Sequence, residues 1–175
     1  MQEREIDLEN EVEALTEEMQ EWADQQSKYD FGSDPYKRIE YEGSTLQRYQ
    51  NGVAWAAQEF DTVTLRPITD GLRRAIRDLT EQTAFDRDQC LVAIGTQDAA
   101  YIAHDPETIS PDNDDLQDTL GNIADLHPGY VDWASDKIQD LWGMSNELGN
   151  SYADMVLATQ AKQTTTETTG SDTAE

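Results

Sequence analysis

Apolar side chains recur at helical spacing through residues 130–155, and that stretch limits the fold more than any other part of the chain. Val131, Ala134, Ile138, Leu141 and Trp142 share one face with Trp133 beside them, and past Gly143 the pattern resumes at Met144, Leu148, Tyr152 and Met155. A surface of this kind has to be covered by other elements. The segments upstream read as shorter amphipathic pieces of the same helical type. The expected fold class is therefore mainly α: a small helical bundle with at most a short β segment near 62–66.

Taken from the start, Leu8, Val12, Leu15, Met19 and Trp22 alternate at spacings of four and three among glutamates, with Met1 and Tyr29 in phase. This heptad-like seam predicts an N-terminal helix over 1–30, and the five residues are candidates for self-association. The pattern fits a helix docked on its own domain equally well. Phe31, Gly32, Ser33, Asp34 and Pro35 are expected to break it. Residues 36–43 alternate weakly and read as extended. Ser44-Thr45-Leu46-Gln47 has capping-box spacing, which predicts a helix over 44–60 with Leu46, Tyr49, Val53, Ala56 and Phe60 inward.

Thr62-Val63-Thr64-Leu65, closed by Pro67, reads as a short strand. Thr69 or Asp70 caps a helix that turns Leu72, Ala75, Ile76 and Leu79 inward and Arg73, Arg74 and Arg77 outward. With Arg66 these arginines form either a patch for an acidic partner or a set of intramolecular ion pairs. Asp86 and Gln89 repeat the cap spacing ahead of a helix over 87–103. Ser110-Pro111 is expected to open another, with Leu116, Leu120, Ile123 and Leu126 on its apolar face. Two helices follow, over 130–142 and 145–161. The helical domain thus spans 44–161, and residues 162–175 are polar, threonine-rich and expected to be a disordered tail.

Charge narrows the setting. Thirty-seven acids stand against 12 bases in 175 residues, giving a net charge of -25, so the folded chain repels itself and salt screens the repulsion. We read this as adaptation to a high-salt cytoplasm. No basic stripe is present to neutralise phosphates, which argues against nucleic acid as a partner. The single Cys90 excludes an internal disulfide, and no apolar run reaches the ~18 residues of a membrane span, so no membrane partner is expected.

Residues with chemistry are sparse. His104 and His127 sit in turn sequences without ligand-spaced partners, and Cys90 lies on an apolar helix face. Asp112-Asn113-Asp114-Asp115 lacks the glycine and closing glutamate of a calcium loop, with Gln117 and Ile123 at those positions. Phosphate-loop, dinucleotide and nucleophile-elbow motifs do not occur. No catalytic residue, metal ligand or cofactor is expected.

The run Val63-Thr64-Leu65-Arg66-Pro67-Ile68-Thr69, followed by an amphipathic helix and a helical body that reaches Ile138-Gln139-Asp140-Leu141-Trp142-Gly143-Met144, resembles the tail assembly chaperones of tailed viruses. The similarity covers residues 62–155; the heptad-like N-terminus is not a regular feature of that family. The resemblance implies a non-enzymatic protein that holds the long helical tape-measure protein soluble during tail morphogenesis and is missing from the finished virion. With the acidic composition it implies a salt-loving archaeal host. Trp133, Trp142, Met144, Tyr152 and Met155 are the candidate partner-binding residues, since aromatic and methionine side chains suit a surface that accepts varied apolar partners; the competing reading is that they simply complete the core. The competing expectation is a structural virion or connector subunit that oligomerises through its N-terminal helix.

The charge excess has a direct consequence for stability. Thermal unfolding midpoints should rise as potassium chloride is raised toward molar levels. A midpoint that is unchanged or lowered by salt would contradict the halophilic reading.

Overall fold

In the computed structural model, residues 3–141 are described. The fold class agrees with expectation, being mainly helical with a small sheet. The candidate partner-binding residues Trp142, Met144, Tyr152 and Met155, the helix over 145–161 and the tail 162–175 lie outside the described residues, as does Met1.

The first departure from the sequence reading is a strand, β1 (Arg4–Asp7), where the heptad seam predicts helix. It pairs antiparallel with β2 (Thr62–Leu65), Ile6 opposite Val63, and β2 pairs antiparallel in turn with β3 (Thr96–Asp98). Ile6, Val63 and Leu65 are buried by this three-stranded sheet. Asp7 ends β1 and caps α1 (Leu8–Gln26), accepting a 2.9 Å hydrogen bond from the Asn10 amide.

The break expected at residues 31–35 occurs, since α1 ends at Gln26, and the same residues also lead into the longest helix, which begins at Asp34. Gly32 takes a positive φ of 77° in the turn, and the Ser33 side chain accepts from the Tyr36 amide. Pro35 then occupies the first turn of α2 (Asp34–Glu59), where its missing N–H removes no helical bond. A proline can open a helix as well as stop one. The capping box predicted at Ser44 does not form, because Ser44 lies mid-helix and its hydroxyl donates to the Glu40 carbonyl at 2.9 Å.

α1 and α2 form an antiparallel hairpin, with the Leu8 amide donating to the Asp61 carbonyl at 3.0 Å where its two outer ends meet. Leu8 and Leu15 are buried and Val12 packs on the core, so the first half of the seam is covered within the chain, while Met19 and Trp22 are half-buried.

The body of the fold is built round α4 (Arg87–Gly95), whose Cys90, Leu91, Val92, Ala93, Ile94 and Gly95 are all buried. A helix that is apolar on every side belongs at the centre, and here α3 (Asp70–Gln82), α5 (Asp114–Ala124) and α6 (Pro128–Leu141) pack on it. Its Asp86–Gln89 capping box forms as the spacing predicts. The predicted continuation to residue 103 does not occur: at Gly95 the Ile138 side chain occupies the space a Cβ would need, and the chain turns into β3. Likewise Asn113, not Ser110, caps α5, accepting from the Asp115 amide at 2.9 Å. Leu116, Leu120 and Ile123 are buried as predicted.

α6 runs antiparallel to α2. Trp55 lies beside His127, Gly52 against Tyr130, and Arg48 pairs with Asp132 at 3.1 Å. The backbones touch where both helices carry glycine: a Cβ on Gly52 would collide with the Tyr130 nitrogen and Gly129 carbonyl carbon, and one on Gly129 with the Arg48 carbonyl. Backbone cannot rotate away as a side chain can. Gly52→Ala should therefore lower stability by about 2 kcal/mol or more in urea unfolding. Gly121→Ala, on a helix face with nothing within 4 Å, should raise it by roughly 0.5–1 kcal/mol through helix propensity. Equal effects at the two positions would contradict the close α2–α6 approach.

Candidate protein-binding surfaces

Residues of reactive type are engaged inside the fold. Tyr101 and Tyr130 hydroxyls lie 3.1 Å apart, Tyr101 also meets Thr96 at 3.0 Å, and both rings stack edge-on with Phe60. Burial pushes the Tyr101 phenol up to about 12 and Tyr130 well above its ordinary value. Both stay neutral hydrogen-bonding core residues. Burial also raises the Cys90 thiol, against the hydrogen bonds from Thr80 and Thr83, so it has little thiolate character.

His104 is buried with Nδ1 2.9 Å from the Thr119 hydroxyl, which also accepts the Ala103 and His104 amides at 2.8 and 3.2 Å. Burial, then the nearby Arg66 charge, lowers its pKa and keeps it neutral. Arg66, expected in a surface patch, is buried: Nε donates to the Ile94 carbonyl at 2.7 Å, and a terminal nitrogen donates to the Pro106 carbonyl at 2.8 Å. These carbonyl bonds tie the loop after β3 to the core, and the ion pair of the intramolecular alternative is a longer one to Glu107, at 3.8 Å. No group of three or more His, Cys, Asp or Glu among the described residues could hold a metal ion.

Trp133, the one candidate partner-binding residue within the described set, is fully buried. Its indole N–H donates to Glu11 at 3.0 Å, and Lys137 pairs with the same carboxylate oxygen at 2.8 Å. Of the two readings the sequence holds open for it, Trp133 takes the core one rather than the partner-binding one, and it pins α1 to α6. Glu11, one more glutamate in sequence, is what the ring and the ammonium share.

Two surfaces remain. The first is the free end of the α1–α2 hairpin. Phe31 is 89% and Tyr41 73% exposed, the two large exposed apolar residues among those described, with Phe31 edge-on to Tyr36 at 5.1 Å. A cleft of about 490 Å³ there is lined by Asp34, Lys37, Arg38, Tyr41 and Glu42. Periodicity does not mark Phe31, and Tyr41 enters only the weak alternation over residues 36–43, read as extended where the structure has helix α2. Behind them, Tyr49 donates a short hydrogen bond to Asp136. Burial and then carboxylate neighbours raise Glu42, and burial raises Asp136 against the Tyr49 bond. Advancing about eleven residues, roughly 16 Å, from the Gly52–Tyr130 contact reaches Tyr41 on α2 and Leu141 on α6. The last described residue of α6 is thus level with the exposed tyrosine.

The second surface is a cleft of about 450 Å³ between α3 and α4. Ile68, Ile76 and Leu91 form its floor, and Arg73, Arg77 and Arg87 stand on its walls with Thr80 and Glu81. Two of the three arginines predicted outward on α3, Arg73 and Arg77, stand here; Arg87 was not singled out by the sequence.

No helix among the described residues is long and apolar enough to cross a membrane. No family model matches the chain, and no curated protein or solved structure does either.

Proposed function

We propose that this protein works by binding another protein, as a tail assembly chaperone that keeps a tape-measure-like helical protein soluble in a high-salt cytoplasm. The observation that supports a binding role is the hairpin end, where Phe31 and Tyr41 stand exposed on a surface otherwise crowded with charge. Large exposed aromatic rings, here one in the hairpin turn and one on α2, are typical anchors in protein interfaces. The identity of the partner rests on the resemblance over residues 62–155.

The alternative, a structural subunit that oligomerises through its N-terminal helix, needs the seam for another copy. Leu8 and Leu15 are already covered within the chain, which favours the transient-partner reading.

The test replaces Phe31 and Tyr41 together by serine in the full chain. Because both rings are exposed, helical content and unfolding midpoint should hold to within about 0.5 kcal/mol. Co-purification with a long helical protein encoded beside it should be lost. Undiminished co-purification by the variant would remove the hairpin end from the binding surface. Abundant copies of the protein in purified particles would favour the structural alternative.

A further inference from the structure

We infer that His104 and Thr119 form a proton-sensitive latch, which holds the connection between β3 and α5 against the body while the imidazole is neutral and releases it when the ring takes up a proton. The inference does not depend on the binding role proposed above and rests on hydrogen-bond geometry at one buried oxygen.

The connection, residues 99–113, runs for fifteen residues without a helix or strand of its own. Connections of that length inside a compact domain are uncommon and often functional. Lacking ladder bonds, it is held by side chains of its neighbours. Thr119 on α5 accepts the Ala103 and His104 amides, Asn122 donates to the Tyr101 carbonyl at 3.1 Å, and Arg66 donates to the Pro106 carbonyl. The connection brings Tyr101, Ile102 and Ile109 onto the core. Tyr101 packs edge-on against Phe60 and Tyr130, so opening uncovers an aromatic surface.

Thr119 decides where the imidazole proton sits. A hydroxyl oxygen has two lone pairs and one proton. Both lone pairs of Thr119 Oγ1 are taken, by the Ala103 N–H at 2.8 Å and the His104 N–H at 3.2 Å. The hydroxyl proton is what remains for the 2.9 Å contact with His104 Nδ1, so Nδ1 accepts and the ring is the Nε2–H tautomer. A proton added at Nδ1 would set N–H against O–H with no lone pair between them. Either the ring or the two amides must then let go. Nε2 is buried and meets no hydrogen-bond partner among the described residues, so the charged ring has no acceptor at its other end either.

The charges round the ring act in both directions. Arg66, directly after β2, opposes the imidazolium, while Asp105 in the connection and Asp115 on α5 favour it. Glu107 meets Arg66 at 3.8 Å. Desolvation and Arg66 together outweigh the two aspartates. His104 therefore binds a proton less readily with the connection closed than open. Closure weakens as pH falls below about 6.5, the value of an unconstrained histidine, and is unaffected well above it.

Nuclear magnetic resonance on the full chain in molar potassium chloride tests this between about pH 7.5 and 5.5, a range in which ordinary carboxylates stay charged. At the upper end the ring nitrogen shifts of His104 should report the Nε2–H tautomer. Amide protection of Ala103 and His104, corrected for intrinsic exchange, should fall by up to about tenfold across the range, while Val92 and Ile94 in α4 keep theirs. His104→Asn places an oxygen where Nδ1 accepts and takes up no proton, so it should hold protection constant. An Nδ1–H tautomer, or unchanged protection in the wild type, would overturn the proposal. A fall that persists in His104→Asn would overturn it as well, moving the effect to the other histidine, His127. So would a parallel loss of protection in α4, because acid would then be loosening the whole fold. If the asparagine variant does not fold, the tautomer and the protection ratio of the unaltered chain still decide.

Discussion

The close approach of α2 and α6 governs the architecture. With glycine on both sides of the crossing, at Gly52 and Gly129, backbone meets backbone, and no side chain keeps the helices apart. From that contact Arg48–Asp132 and Tyr49–Asp136 fix the register along one direction, and Trp55 with His127 along the other. α6 in turn covers α4 through Ile138 and holds α1 through Trp133, Lys137 and Glu11. The hairpin is thus anchored at its sheet end, and the distance to its free end follows from helix length alone: 26 residues of α2 rise about 39 Å.

This arrangement separates stability from the candidate binding surfaces. Apolar burial is concentrated round α4, where Val92, Ala93 and Ile94 are inaccessible to solvent. The buried titratable side chains, Cys90, Tyr101, Tyr130 and His104, are held neutral by desolvation and serve packing and hydrogen bonding. Apart from Arg66 and the Glu11–Lys137 pair, the charges named here lie toward the outside, and even there carboxylates crowd one another: Asp136 faces Asp140, Asp88 and Asp132. A chain so arranged gives up electrostatic stability at low salt, and the surfaces that differ from the acidic background, the aromatic hairpin end and the arginine-lined cleft, stand out against it.

Much of the body was legible because its signals are local. The caps at Thr69 and Asp86, the strand over 62–65 and the apolar faces of α3 and α5 each depend on a few neighbouring residues. The failures came where a local signal had two meanings. The break before Pro35 is real, but a first-turn proline also starts a helix, and Ser44-Thr45-Leu46-Gln47 has capping spacing in the interior of that helix. β1 and β3 are too short to show alternation and exist because β2 supplies their hydrogen bonds. Of the candidate site, the sequence leaves Trp133 between core and partner surface because an aromatic at helical spacing does not reveal which neighbour covers it. Phe31, Tyr41 and Arg87 acquire meaning only from the tertiary fold.

Native-state hydrogen exchange tests this division of the molecule most directly. If the α2–α6 crossing and α4 form the body, amides of Val53, Ala56, Val92, Ala93 and Ile138 should open only with global unfolding. Amides of the hairpin end, from Trp22 to Tyr41, should exchange faster by more than roughly tenfold through local opening. Protection at the hairpin end equal to that of α4 would contradict the account, because it would make the hairpin part of the cooperative core.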